Sequence, residues 1–155
     1  MKLSTREDIE APVEAVFRAV SDFDAFERQL LKRGVDVVRD DSVSEAGPGL
    51  RWQLDLTWRE RPHKVAAELV SFEPGQGYAI ESTGSGIACL AVVDLVALSK
   101  RRTRLFVSAD LKPQTLSARL LIQSLKLAKS SLSRRFEARV KELAGAIETR
   151  ENRIA

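Results

Sequence analysis

Two hydrophobic periods share this chain, and the order in which they appear predicts its fold. Residues 3–10 alternate weakly, with Leu3, Thr5 and Ile9 on one side, which predicts a strand. Ala11-Pro12 interrupts it, and Pro12 suits the first turn of a helix. Val13, Val16, Phe17 and Val20 then recur at helical spacing. Ser21-Asp22 supplies a break and a new N-cap, and Phe23, Phe26, Leu30 and Leu31 predict a second short helix closed by Gly34. Residues 35–41 are a short strand candidate, followed by a Gly47-Pro48-Gly49 turn. Period two then takes over. Leu50, Trp52, Leu54, Leu56 and Trp58 alternate strictly with Arg51, Gln53, Asp55, Thr57 and Arg59, the mark of a strand with one buried and one solvated face. Turns at Pro62-His63, Pro74-Gly75-Gln76-Gly77, Gly84-Ser85-Gly86 and residues 99–102 separate further strands over 64–72, 78–83, 87–98 and 102–111.

After Pro113 the helical period returns and persists. Leu121, Leu125, Leu132, Phe136, Val140, Leu143 and Ile147 recur at steps of three, four or seven, so one helix is predicted over 116–147. At 1.5 Å per residue it is about 45 Å long, enough to lie across a curved sheet. Strands joined by short turns cannot be parallel, because parallel pairs need long crossovers. The expectation is therefore α+β: a curved antiparallel sheet of about seven strands, two short helices after the first strand, and one long C-terminal helix. A single domain over 1–150 and a C-terminal tail over 151–155 are expected from the length. A sheet gripping a long helix usually leaves a hollow between them.

Local features carry a resemblance. "Ile9-Glu10-Ala11-Pro12-Val13-Glu14-Ala15-Val16-Phe17" opens the first helix, "Val20-Ser21-Asp22-Phe23" joins the two short helices, "Ser71-Phe72-Glu73-Pro74" ends a middle strand, and "Arg102-Thr103-Arg104-Leu105" begins the last one. In their order and spacing these resemble the helix-grip fold of the START-related (SRPBCC) superfamily, which includes birch-pollen-allergen-like and polyketide cyclase/dehydrase proteins. The resemblance spans essentially the whole chain. It implies binding of a hydrophobic or amphipathic small molecule between sheet and helix, as a carrier or as an enzyme of the cyclase, aromatase or hydratase type. One branch of the superfamily binds a chaperone, so a protein-interaction module is a third possibility. Fold alone does not decide among these.

The remaining sequence narrows the chemistry. The chain of 155 residues carries 25 basic and 22 acidic residues, too small an excess to point to nucleic acid, and no aromatic residues interleave with the charges. The lone Cys89 excludes an intrachain disulfide, and residues 1–8 show no signal-peptide core, so a cytoplasmic location is expected. The inward strand faces predict an apolar lining: Trp52, Leu54, Leu56, Trp58, Leu69, Tyr78, Ile80, Cys89 and Val107, with Leu125, Leu132 and Phe136 from the helix. Trp52 and Trp58 suit a pocket wall, though core packing explains them as well. Glu7 shares a face with Leu3 and Ile9 and is the one acidic candidate for that lining; Tyr78 and Ser82 could join it. The single histidine, His63, falls in a predicted turn, and no cluster has metal-ligand spacing, so neither metal nor cofactor is expected. Leu116, Leu120 and Leu127 project opposite the main helical stripe. Such a patch reads as a self-association surface, a membrane-facing patch or a sign that the helix bends near Ser130-Ser131, with partial burial against a neighbouring loop or a second subunit expected first. Lys126, Lys129, Arg134, Arg135 and Arg139 around the same helix read as a solvated face or as a transient contact with an anionic membrane.

Overall fold

In the computed structural model, which describes residues 1–40 and 45–154, the chain begins with a strand, β1 (Lys2–Ile9), and two short helices, α1 (Val13–Val20) and α2 (Phe23–Lys32). Six strands follow: β2 (Asp36–Arg39), β3 (Arg51–Trp58), β4 (Arg61–Glu73), β5 (Gly77–Gly84), β6 (Ile87–Ser99) and β7 (Arg102–Pro113). Two helices close the chain, α3 (Leu116–Leu127) and α4 (Lys129–Ile154). All neighbouring strands are antiparallel, in the order β1-β7-β6-β5-β4-β3-β2, so β1 and β2 are the edges of one seven-stranded sheet. Asp41, the expected end of β2, lies outside the described residues.

The local chemistry matches the elements. Asp22 accepts from the Ala25 amide at 3.1 Å and caps α2, while Gly34 takes φ +84 just past its end. Buried Thr103 at the start of β7 donates to the Ala11 carbonyl at 2.8 Å, which ties the β1–α1 corner to the sheet. On the opposite face of those strands Arg104 grips Asp8 through two hydrogen bonds of 2.7 and 3.1 Å, which hold the Asp8 carboxyl below its ordinary range.

Three expectations are corrected. The turn placed at Pro62-His63 lies instead at Arg59-Glu60, whose φ values of +51 and +63 make a two-residue hairpin without glycine. Pro62 and His63 are strand residues opposite Thr57 and Leu56. The helix expected over 116–147 is two helices. Ala128 leaves the helical region (φ −103, ψ 16), and its amide closes α3 with a tight 3.0 Å bond to the Leu125 carbonyl. Finally, α4 continues to Ile154, beyond the helix end expected at Ile147. A fourth finding was not visible as alternation. The β4–β5 register shifts between Leu69 and Ser71, so Leu69 and Phe72 both turn to the helical side.

Val16, Val20, Leu69, Leu105, Val140 and Ile147 form the centre of the core, where α1 and α4 meet the sheet.

Candidate functional site

Two hollows lie under the sheet at the edge of this core. The larger, about 580 Å³, sits between β5–β7, α2 and α4. Its deep walls are Val20, Tyr78, Leu105 and Val140, all buried, with Val93 and Val107 from the sheet and Phe136 and Leu143 from α4. The smaller, about 310 Å³, lies toward β3 and β4 and is bounded by Phe23, Val37, Trp52, Leu54, Ala67 and Ile80. Phe26, Leu30 and Tyr78 belong to both and form their common wall. An aromatic cluster packs beside them: Phe23 stands edge-on to Trp52 and Tyr78 at 5.4 and 5.3 Å, and Phe72 meets Phe17 at 5.4 Å.

The polar groups of this wall are occupied. The Tyr78 hydroxyl donates to the Val20 carbonyl at 2.6 Å, and burial pushes the phenol above its ordinary pKa. The Trp52 indole N–H donates to Glu27 Oε1 at 2.7 Å. The same oxygen accepts from Arg39 Nε at 2.7 Å, and Arg39 reaches Asp24 as well. The charged groups of the larger hollow are at its mouth, where exposed Gln29 and Arg33 of the α2 end face Arg139 and Glu142 of α4. Neither Arg33 nor Arg139 is in an ion pair among the described residues.

The residues expected to line a site are dispersed. Tyr78, Val107 and Phe136 meet at the larger hollow, and Trp52, Leu54 and Ile80 at the smaller, with Tyr78 common to both. Leu69 is fully buried in the core. Leu56, Cys89, Leu125 and Leu132 are half-buried and line neither hollow. Burial raises the Cys89 thiol pKa. Glu7 pairs in register with Leu105, on the helical side of the sheet, but does not reach either lining. Trp58, at 41% exposure, lies at the hairpin end against a separate surface hollow, with Arg59 stacked 4.4 Å over its ring. His63 belongs to that hollow too. It is not a solvated loop residue: its Nδ1 pairs with Ser85 Oγ at 2.5 Å, and its Nε2 is buried without a hydrogen-bond partner among the described residues.

α2 is a wall of the site that the sequence pattern did not place. Phe23, Phe26 and Leu30 stand at i, i+3 and i+7, one helical face, and that face forms the side of both hollows. Their periodicity was visible; their partner across the hollow was not.

Among the described residues no group of His, Cys, Asp and Glu could hold a metal ion, and no helix is long and apolar enough to cross a membrane. No family model and no curated protein matches the sequence. Solved structures do. The Zhui aromatase/cyclase of a Streptomyces species superposes with a TM-score of 0.68 at 12% identity, over 97% of this chain and 94% of that one. Ara h 8.0201 gives 0.60 at 14% identity, covering 96% and 98% of the two chains. A truncated norcoclaurine synthase of Thalictrum flavum gives 0.62 at 11% identity, covering 81% and 82%. At such identities the likeness concerns architecture, and it agrees with the strand order and helices described above: the chain has the helix-grip fold.

Proposed function

We propose that this protein binds an amphipathic small molecule without covalent chemistry, the apolar body under the sheet and an anionic end at Arg33 and Arg139. One observation carries the reading. The polar side chains among the buried wall residues, Tyr78 and Trp52, spend their donors on the protein itself. A polar ligand buried there would find no partner and would lose the free energy of its own hydration. An apolar one loses nothing and gains the burial of its surface. At the mouth the balance reverses, because two exposed guanidinium groups, without ion pairs among the described residues, stand beside the opening. Glu142 leaves that rim one positive charge in excess.

The likeness to an aromatase/cyclase favours a second reading, in which the same hollow folds a reactive chain by positioning alone. Glu27, which borders the smaller hollow, is the acidic group such a reaction would use, but it is engaged by Trp52 and Arg39. The lone thiol suits a cytoplasmic carrier.

The test compares a long-chain fatty acid with the alcohol of equal length by titration calorimetry. The acid is expected to bind several-fold more tightly, and Arg33→Gln with Arg139→Gln to bring the two together while the alcohol keeps its affinity. Equal binding of acid and alcohol by the unaltered protein would remove the anionic end from the proposal. Failure of both, with no lipid-like mass retained in native mass spectrometry, would overturn it entirely.

A further inference from the structure

We propose that the outward face of α3 docks on an anionic bilayer surface. The observation is an anomaly of exposure. Leu116, Leu120 and Leu127 are 73, 59 and 92% exposed, so no loop of the described chain covers them as expected from the sequence. They fall within about 40° of one another around the helix axis. The helix buries only Ala118 and Ile122 on its other side.

Charge says what covers the leucines. Residues 111–136 contain six basic residues and no acidic one. Arg119 and Lys126 are exposed on the flank of this face and Lys129 is exposed just past its end, and none is in an ion pair among the described residues. A second copy of the chain pressed face to face would bring like charges together. A bilayer with acidic headgroups supplies the opposite sign. Shape agrees. A standard protein interface buries about 1,600 Å² over both partners, and three leucines on one convex helix provide little of that. Lipids part around a convex amphipathic helix, which then lies in the interface with its apolar side down. The break at Ala128 makes α3 a separate twelve-residue segment whose apolar outer face need not follow the direction of α4.

The test is cosedimentation of the full chain with two kinds of vesicle, phosphatidylcholine alone and equal parts phosphatidylcholine and phosphatidylglycerol. The protein is expected to pellet with the mixed vesicles, to stay in solution with phosphatidylcholine, and to be released as salt screens the charges. Leu120→Glu with Leu127→Glu is expected to lower the partition coefficient at least about tenfold. Both positions are exposed, so the thermal melt of this variant should coincide with that of the unaltered protein, and loss of vesicle binding then reports the face and not the fold. Lys126→Gln with Lys129→Gln is expected to weaken binding several-fold at low salt only. No pelleting with the mixed vesicles overturns the proposal. So does equal pelleting of the leucine variant. A solution dimer that Leu127→Glu dissociates, with no vesicle binding, would assign the face to a second copy instead.

Discussion

Removing one oxygen tests the argument that the cavity wall keeps its polar groups to itself. Tyr78→Phe deletes a hydroxyl and leaves the ring, so the contacts with Phe23 at 5.3 Å and Phe72 at 6.5 Å persist. What is lost is the 2.6 Å bond to the Val20 carbonyl. Tyr78 is 9% exposed and Val20 only 2%, so water cannot readily replace the donor. A typical hydrogen bond contributes about 1 kcal/mol net, and an orphaned buried acceptor raises the cost toward 1–3 kcal/mol. The Val20 carbonyl lies at the last turn of α1, where carbonyls lack helical partners, so the upper half of that range applies: roughly 2 kcal/mol. For a chain of 155 residues this lowers the melting temperature by about 4–8 °C.

Urea unfolding of both proteins checks the figure, and a change in midpoint at constant slope identifies a stability effect. Binding of anilinonaphthalene sulfonate, an aromatic anion, gives the second readout. Its affinity should stay within about twofold, since the hydroxyl is committed to Val20 in either state and offers the ligand nothing. The decisive result is the opposite pattern. A variant of unchanged stability with a large loss of affinity would show that the hydroxyl faces the ligand, and the reading of a polar-group-free interior would fall.

Two further outcomes follow from the same structure. Tyr78 is the only tyrosine, and its folded pKa is raised by burial above the unfolded value of about 10. Its contribution to stability is therefore fully present below about pH 10 and falls as pH rises beyond it, so phenolate absorbance in a base titration should rise only together with loss of the circular dichroism signal. Asp22→Ala removes the acceptor that caps α2 and is expected to cost about 1 kcal/mol in urea unfolding; because α2 carries Phe26 and Leu30, anilinonaphthalene sulfonate affinity should weaken with it.

Why was the fold legible and half the lining not? Alternation identifies a face, and it did so wherever the strand was regular. Asp94 points out, while Val93 and Leu95 point in as their parity requires. Parity fails at an insertion. The bulge after Leu69 returns Phe72 to the inner side, and nothing in the composition of Leu69-Val70-Ser71-Phe72 marks it. Alternation also cannot say how far along a strand its covering helix reaches. Trp52, Leu54, Leu56 and Trp58 share one row, yet burial declines along it: Trp52 lies against Phe23, Leu54 and Leu56 are half-covered, and Trp58 overhangs at the hairpin end. Glu7 illustrates the same limit, being on the expected face but beside α4 rather than over the hollow. The cap of α2, by contrast, depends on chemistry within a few residues, and Asp22 and Gly34 announced it.

The break at Ala128 connects the two apolar faces of the C-terminal region. A helix has one buried stripe, and a chain that continued from α3 into α4 without interruption would have to keep that stripe in phase. The buried positions keep that phase: α3 buries Ala118 and Ile122, α4 buries Val140, Ala144 and Ile147, and the step from Ile122 to Val140 is about five whole turns. Leu125 and Leu132, which an unbroken helix would carry as wall residues, flank the break and are only half-buried. The two segments nevertheless have separate tasks. α4, about 39 Å long at 1.5 Å per residue, supplies Phe136, Val140 and Leu143 to the cavity and Arg139 to its mouth. α3 begins where Gly86, at φ +78, lets Thr115 and Ala118 approach the β5–β6 turn; a Cβ there would stand 2.5 Å from Thr115 Oγ1. Anchored at that end, α3 can present leucines to the outside without disturbing the phase of the cavity wall. The outward leucines lie on the side of α3 opposite Ala118 and Ile122, so one rotation about the axis serves both stripes. Opposed and not competing, the two stripes let this chain combine an apolar cavity with an apolar outer face.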